Sequence, residues 1–204
     1  MTNNIVVIAT GNLNKLQEIK RMLQGFDLEI KSMKDVGLDN LEIVEDGITF
    51  EENALKKATA VMNLTGHIAI ADDSGIEVEY LDWQPGIYSA RFAGEKATDA
   101  ENNEKLLELL KNIPPEKRKG RFVCAIAVAM PRGESFTVRG ILNGTIAYEL
   151  KGKGGFGYDP LFMPEAYNGL SLGEISSEEK NRISHRGQAL ERMKNVLGKR
   201  LKGE

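Results

Sequence analysis

The chain of 204 residues has one cysteine, so no internal disulfide can staple it. That residue, Cys124, lies in the apolar run FVCAIAVAM and reads as a small core residue. Histidine is nearly as scarce, with two in the chain, and no His/Cys spacing suited to zinc can be built. No apolar run approaches the roughly 18 residues of a membrane span. The opening MTNNIVVIATGN has no basic residue and too short an apolar run for a signal peptide, so a cytoplasmic protein with no membrane partner is expected. A net charge of −3 supplies no basic field for a nucleic acid polymer.

What is present suits an ordinary globular protein: 41% hydrophobic and 28% charged residues, enough for one large domain or two small lobes. IVVIA (5–9) reads as a buried strand. Asn14 and Gln17 are spaced as a capping pair for a helix through Leu23, ended by Gly25, and LEIKSM alternates like a second strand. Three further helix starts follow from capping-box spacing: Thr49 with Glu52, Thr98 with Glu101, and Ser176 with Glu179. The first of these helices runs to about Leu64 and leads into the IAIA strand; IPPE stops the second. GRFVCAIAVAM and SFTVRGILNGTIAYEL read as strands joined through the PRGE turn, and a closing helix spans about Gln188 to Leu201. Strands and helices mix without strict alternation, which predicts an α/β or α+β mixed sheet.

Five segments could carry chemistry. In ATGNLNK (9–15) a strand enters a helix through Thr-Gly-Asn, leaving backbone N–H groups for an anion, and Lys15 sits in the first helical turn where a cation opposes the dipole. That placement suits a phosphate, although a solvated lysine on an ordinary turn has the same sequence. In TFEENALKKATAVMNL, Lys56 is spaced to pair with Glu52, whereas Lys57 shares a side with Asn53 and Ala54 near the apolar face. Just upstream, Glu42, Glu45 and Asp46 form an acidic, turn-like cluster. In IAIADDSGIEV, Asp72 and Asp73 fall at the expected end of a buried strand, where adjacent carboxylates are costly unless compensated. Mg²⁺ held through oxygen would remove that repulsion; an Asp cap or Asx-turn is the plainer reading. In GGFGYDP, glycines permit close approach of a ligand, and Phe156 and Tyr158 offer faces to a purine. In KNRISHRG, His185 and Arg186 are adjacent donors suited to a carbonyl or phosphate. Together these describe a nucleoside triphosphate site without saying which bond breaks.

Six stretches, ATGNLNK, TFEENALKKA, ADDSGIEV, PGIYSARFAG, GGFGYDPLF and EEKNRISHRGQAL, resemble in order the inosine triphosphate pyrophosphatase family, also called XTP/dITP diphosphatases. The resemblance implies a single pyrophosphatase domain over residues 1–204, folded as an α/β protein with two lobes around a long mixed β-sheet, a cleft between them, and a homodimer. It implies Mg²⁺-dependent hydrolysis of ITP, dITP and XTP to the monophosphate and pyrophosphate. By position, Thr10, Gly11, Asn12, Leu13, Asn14 and Lys15 would hold the triphosphate, with Lys57 assisting. Asp73 would be general base and metal ligand, and Ser74 a substrate contact. Phe156, Gly157, Tyr158, Asp159, Lys180, His185 and Arg186 would bind the nucleotide, the last two near the base. Many members carry two consecutive glutamates before the G-x-T-F segment, where this chain has Val44 and Glu45, then Asp46; if the family's metal glutamate is the first of the pair, Val44 cannot serve, and the resemblance then implies Glu45, or another acid nearby, as the second metal carboxylate. A non-catalytic nucleotide sensor and a pyrophosphatase for modified pyrimidine triphosphates are the rival readings.

Overall fold

In a computed structural model, residues 5–131, 133–167 and 169–202 are described. The chain runs β1 (Ile5–Ile8), α1 (Leu13–Met22), β2 (Glu29–Ser32), α2 (Phe50–Thr65), β3 (Ile68–Val78), α3 (Asp99–Leu109), β4 (Lys119–Ala129), β5 (Ser135–Ile146), β6 (Phe162–Pro164), α4 (Ser177–Ile183) and α5 (His185–Lys202), with short 3₁₀ turns in the connections. The six strands form one sheet in the order β2-β1-β3-β4-β5-β6. Strand β1 lies parallel to β2 and β3, and β5 pairs antiparallel with β6, so the sheet is mixed and the fold is α/β.

Two compact units divide the chain. Unit 1 comprises Met1–Asp73, Cys124–Arg139 and Gly187–Glu204, and unit 2 comprises Ser74–Val123 and Gly140–Arg186. In unit 1, Val6, Ile8 and Ile70 pack with Ile19 and Leu23 of α1, Cys124, Ile126 and Val128 of β4, and Leu190, Met193 and Leu197 of α5. Cys124 is fully buried there, as its apolar run predicts. In unit 2, Ile76 and Val78 pack with Leu106 and Leu110, Phe122, Ile146, Tyr158 and Phe162.

Local sequence accounts for several boundaries. Thr49 and Ser176 cap α2 and α4 by accepting from the N–H three residues on, and Thr98 with Glu101 completes a reciprocal capping box on α3. Helix α1 departs from expectation, because its cap is Asn12 rather than Asn14: Asn12 Oδ1 accepts from the N–H groups of both Asn14 and Lys15. Helix α5 begins three residues earlier than expected, at His185, so that His185 and Arg186 lie in its first turn. The largest correction concerns β3. It is one continuous strand of 11 residues, with Asp72 and Asp73 in its middle rather than at its end.

Candidate active site

The mid-strand carboxylates of β3 are compensated from two helices of unit 1. Lys15, on the first turn of α1, places Nζ 3.0 Å from Asp72 Oδ2, and the Asp72 side chain is fully buried. Lys57, two turns into α2, places Nζ 3.2 Å from Asp73 Oδ1 and 3.1 Å from Glu45 Oε2. Asn53, one turn before Lys57 on the same face of α2, donates from Nδ2 to Asp73 Oδ2 at 3.3 Å. The Oδ1 of Asn53 accepts from Gly47 N–H at 2.8 Å, which ties the acidic loop carrying Glu45 to the same helix. The spacing of Asn53 and Lys57 was visible in the sequence, but the role of Asn53 was missed because a buried asparagine carries no motif of its own.

Burial is the main reason that the Asp73 carboxyl is pushed up to about 6; Lys57 and Lys15 pull it back, while Glu45 and Asp72 add to the rise. Burial pulls the Lys57 pKa down, but Asp73, Asp72 and Glu45 outweigh it and raise that pKa above the usual value. Asp73 is therefore more basic than an ordinary carboxylate while still mostly ionised at neutral pH, as a proton-accepting group needs.

The lysine next door goes elsewhere. Lys56 pairs with Asp46, not with Glu52, and both side chains are largely exposed. Glu52 turns back to accept from Ile48 N–H. Val44 is 75% exposed, while its neighbour Glu45 turns inward to Lys57.

The β1–α1 loop is less open than its sequence suggests. Thr10 Oγ1 accepts from Asn12 N–H, and the Asn12 side chain takes two further N–H groups, so three potential phosphate donors are met internally. Gly11, Asn12, Leu13 and Asn14 remain exposed.

Unit 2 gathers the remaining candidates. Phe156 is half-buried, with Lys180 Nζ 4.4 Å and Arg186 Cζ 5.6 Å from its ring centroid. Asp159 Oδ2 accepts from Lys180 Nζ at 2.7 Å and from Phe156 N–H at 2.8 Å. That geometry demands glycine at 155: φ is +74°, and a Cβ there would lie 2.1 Å from Asp159 Oδ2. Arg186 donates to Ser74 Oγ at 3.0 Å, and His185 stacks flat on Phe122 with centroids 4.7 Å apart. Both are almost fully buried. Tyr158 corrects an expectation: its ring is a buried part of the core and its hydroxyl donates to Ser89 O, so it offers no open face to a purine.

Among the described residues no group of three or more His, Cys, Asp or Glu is arranged to hold a metal. Asp73 and Glu45 nevertheless converge on one point, the Lys57 ammonium. Two carboxylates supply hard oxygen donors, which fits Mg²⁺, an ion that keeps several waters and takes one or two carboxylates together with substrate phosphates.

An α/β protein with a mixed sheet and a buried carboxylate–lysine cluster is the class these observations define. The chain belongs to the Ham1 family, whose model matches residues 6–196. It is 46% identical over 197 residues to a dITP/XTP pyrophosphatase of Clostridium perfringens, covering 94% of this chain and 96% of that one. It is 48% identical over 193 residues to a dITP/XTP pyrophosphatase of Geobacter sulfurreducens, covering 95% and 96%. A HAM1 protein from Coxiella burnetii superposes with a TM-score of 0.87 at 38% identity, covering 96% of this chain and 98% of that one. The resemblance seen in six short motifs thus extends over nearly the whole sequence.

Proposed function

We propose that this protein hydrolyses noncanonical purine nucleoside triphosphates, dITP, XTP and ITP, to the monophosphate and pyrophosphate, and so cleanses the nucleotide pool. The names of its relatives support the reaction, and one feature of the fold carries the reading: a buried, mid-strand carboxylate, Asp73, pushed up to about 6 and touched by Lys57 and Asn53. A nucleotide sensor has no need for a proton acceptor placed in this way.

In this reading Asp73 orients a water and takes its proton as the water attacks in line with the leaving pyrophosphate. Lys15 and Lys57 neutralise the triphosphate tail and the charge that develops on the leaving group. Asp73 and Glu45 would hold Mg²⁺, which would supply further neutralisation of the triphosphate charge. Thr10 and the exposed 11–14 segment line the phosphates.

Phe156 and the donors of Arg186 and His185 recognise the 6-oxo purine, with Ser74, Gly157, Asp159 and Lys180 around them. An adenine amino group would set donor against donor there, at about 1–3 kcal/mol per unpaired buried group. Residues 1–204 act as one functional domain, in the cytoplasm where its substrates are made, and as the homodimer that the family resemblance implies. Sedimentation velocity reads the dimer. The deciding assay is pyrophosphate release from ITP, dITP, XTP, ATP and GTP at fixed Mg²⁺: the first three should be consumed, and turnover of ATP as fast as ITP would overturn the proposal.

A further inference from the structure

The loop that carries Phe156 is glycine-rich, and a chain so free to move needs something to hold it. The peptide of Gly157 is gripped on both sides by one helix. Its N–H donates to Asp99 Oδ2 at 2.7 Å, and its carbonyl accepts from Asn103 Nδ2 at 2.9 Å. Asp99 and Asn103 are four residues apart on α3, hence on one face, and the Thr98–Glu101 capping box fixes that first turn.

Asn103 is only 5% exposed, and its Oδ1 has no hydrogen-bond partner among the described residues. A buried carboxamide with one end unmet stabilises less than an apolar side chain of the same size would. Its presence is explained by the bond it does make, to Gly157. The neighbouring Asn102 grips a second segment, accepting from Ala93 N–H at 2.8 Å and donating to Ala90 O at 3.1 Å.

We propose that Asp99 and Asn103 are positioning residues for base selection: they clamp the Gly157 peptide so that the Phe156 ring is held where the purine is read. The inference rests on the function proposed above, and it assigns a role to a helix that none of the sequence motifs included.

Two isosteric substitutions separate the clamp from mere packing. Asp99→Asn keeps an acceptor for Gly157 N–H but loses its charge, and should raise Kd for inosine monophosphate in the same direction as Asn103→Asp but by less. Asn103→Asp replaces the donor by a carboxylate facing a carbonyl. It should raise KM for ITP and Kd for inosine monophosphate by about tenfold or more, with kcat held within about twofold. The Ki for inorganic triphosphate, which has no base, should not change.

Unchanged binding of inosine monophosphate, or an equal loss for the monophosphate and inorganic triphosphate, would overturn the proposal. Should Asn103→Asp not fold, Asn103→Ser carries the same expectation in smaller measure. If wild type releases no pyrophosphate from ITP, the function reading falls, whereas the monophosphate titration still reads the clamp by itself.

Discussion

The two units hold their candidate residues by different means. In unit 1 the key groups stand on regular elements: Asp72 and Asp73 on β3, Lys15 on α1, Asn53 and Lys57 on α2. Strand register and helix periodicity place them, and contacts between charges finish the arrangement. In unit 2 the central ring, Phe156, stands on a loop with glycines at positive φ, which Asp159, three residues on, and Asp99 and Asn103, from α3, pin in place. A rigid frame suits groups that must hold a charge within tenths of an ångström during bond breaking. A pinned loop suits recognition, because its pins can be altered without disturbing the frame.

The sharpest test of the contrast is Asp73→Asn. The amide keeps the size and the contact to Asn53 but cannot take a proton, so kcat should fall by about 10³-fold or more while nucleotide binding survives. Near-normal kcat would move the chemistry away from unit 1.

The same group sets a pH dependence of stability in the metal-free protein. Its folded pKa, about 6, lies above the ordinary 3.8, so between these values the folded state holds a proton that the unfolded state has released. Stability is then lost as pH rises through that window, and the loss is complete above about 6. A shift of this size corresponds to roughly 3 kcal/mol. Denaturant unfolding of wild type and Asp73→Asn from pH 4 to 7.5 should show the difference between them moving in favour of the variant as pH rises. A difference flat across that range would mean that burial does not strain the carboxylate.

Unit 2 should respond in selectivity instead. Arg186→Ala should cut the preference for ITP over ATP by about 10²-fold in kcat/KM, or about 2.7 kcal/mol, through loss of a permanent donor. Equal loss on both substrates would make Arg186 a structural residue that serves Ser74 and Phe156. Asn53→Ala returns to unit 1 with a smaller effect. By freeing one oxygen of Asp73 and the Gly47 turn, it should weaken the proposed activation by Mg²⁺ about 10- to 100-fold, read as the metal concentration for half-maximal rate. An unchanged metal requirement would limit Asn53 to packing.

Legibility in the sequence followed the range of the interaction. The caps Thr49, Thr98 and Ser176 were readable because donor and acceptor lie three residues apart. Asn14 has the spacing to Gln17 that a cap needs, but Asn12 has the same side chain and takes two N–H groups, one of them that of Asn14 itself. The mid-strand position of Asp72 and Asp73 could not be read, since a carboxylate pair ends a strand unless cations arrive from other elements. Lys57 does so across 16 residues. Of the candidate site, the structure brings Lys57, Glu45 and Asp73 together, as the motifs suggest, but buries Tyr158 in the core. The pins on Gly157, 54 and 58 residues away in sequence, were not legible.

The smallest expected effect is the most specific test of how α2 faces the cluster. Lys56 and Lys57 are adjacent, identical and about 100° apart around the helix, so composition and local propensity cannot distinguish them. The side chain of Lys57 is 12% exposed and meets two carboxylates; that of Lys56 is 44% exposed and meets one, on a side chain that is itself 68% exposed. A solvent-exposed pair of this kind contributes about 0–1 kcal/mol, and it touches neither Asp73 nor Glu45. Lys56→Ala should therefore change kcat and KM by less than about twofold. Lys57→Ala should raise KM and lower kcat together, because in the proposed reaction the same ammonium serves bound substrate and leaving group. Steady-state kinetics on the two variants side by side decide the matter. Equal losses would mean that Asp46, the partner of Lys56, belongs to the acidic site and that the boundary drawn around Glu45 is one residue too narrow.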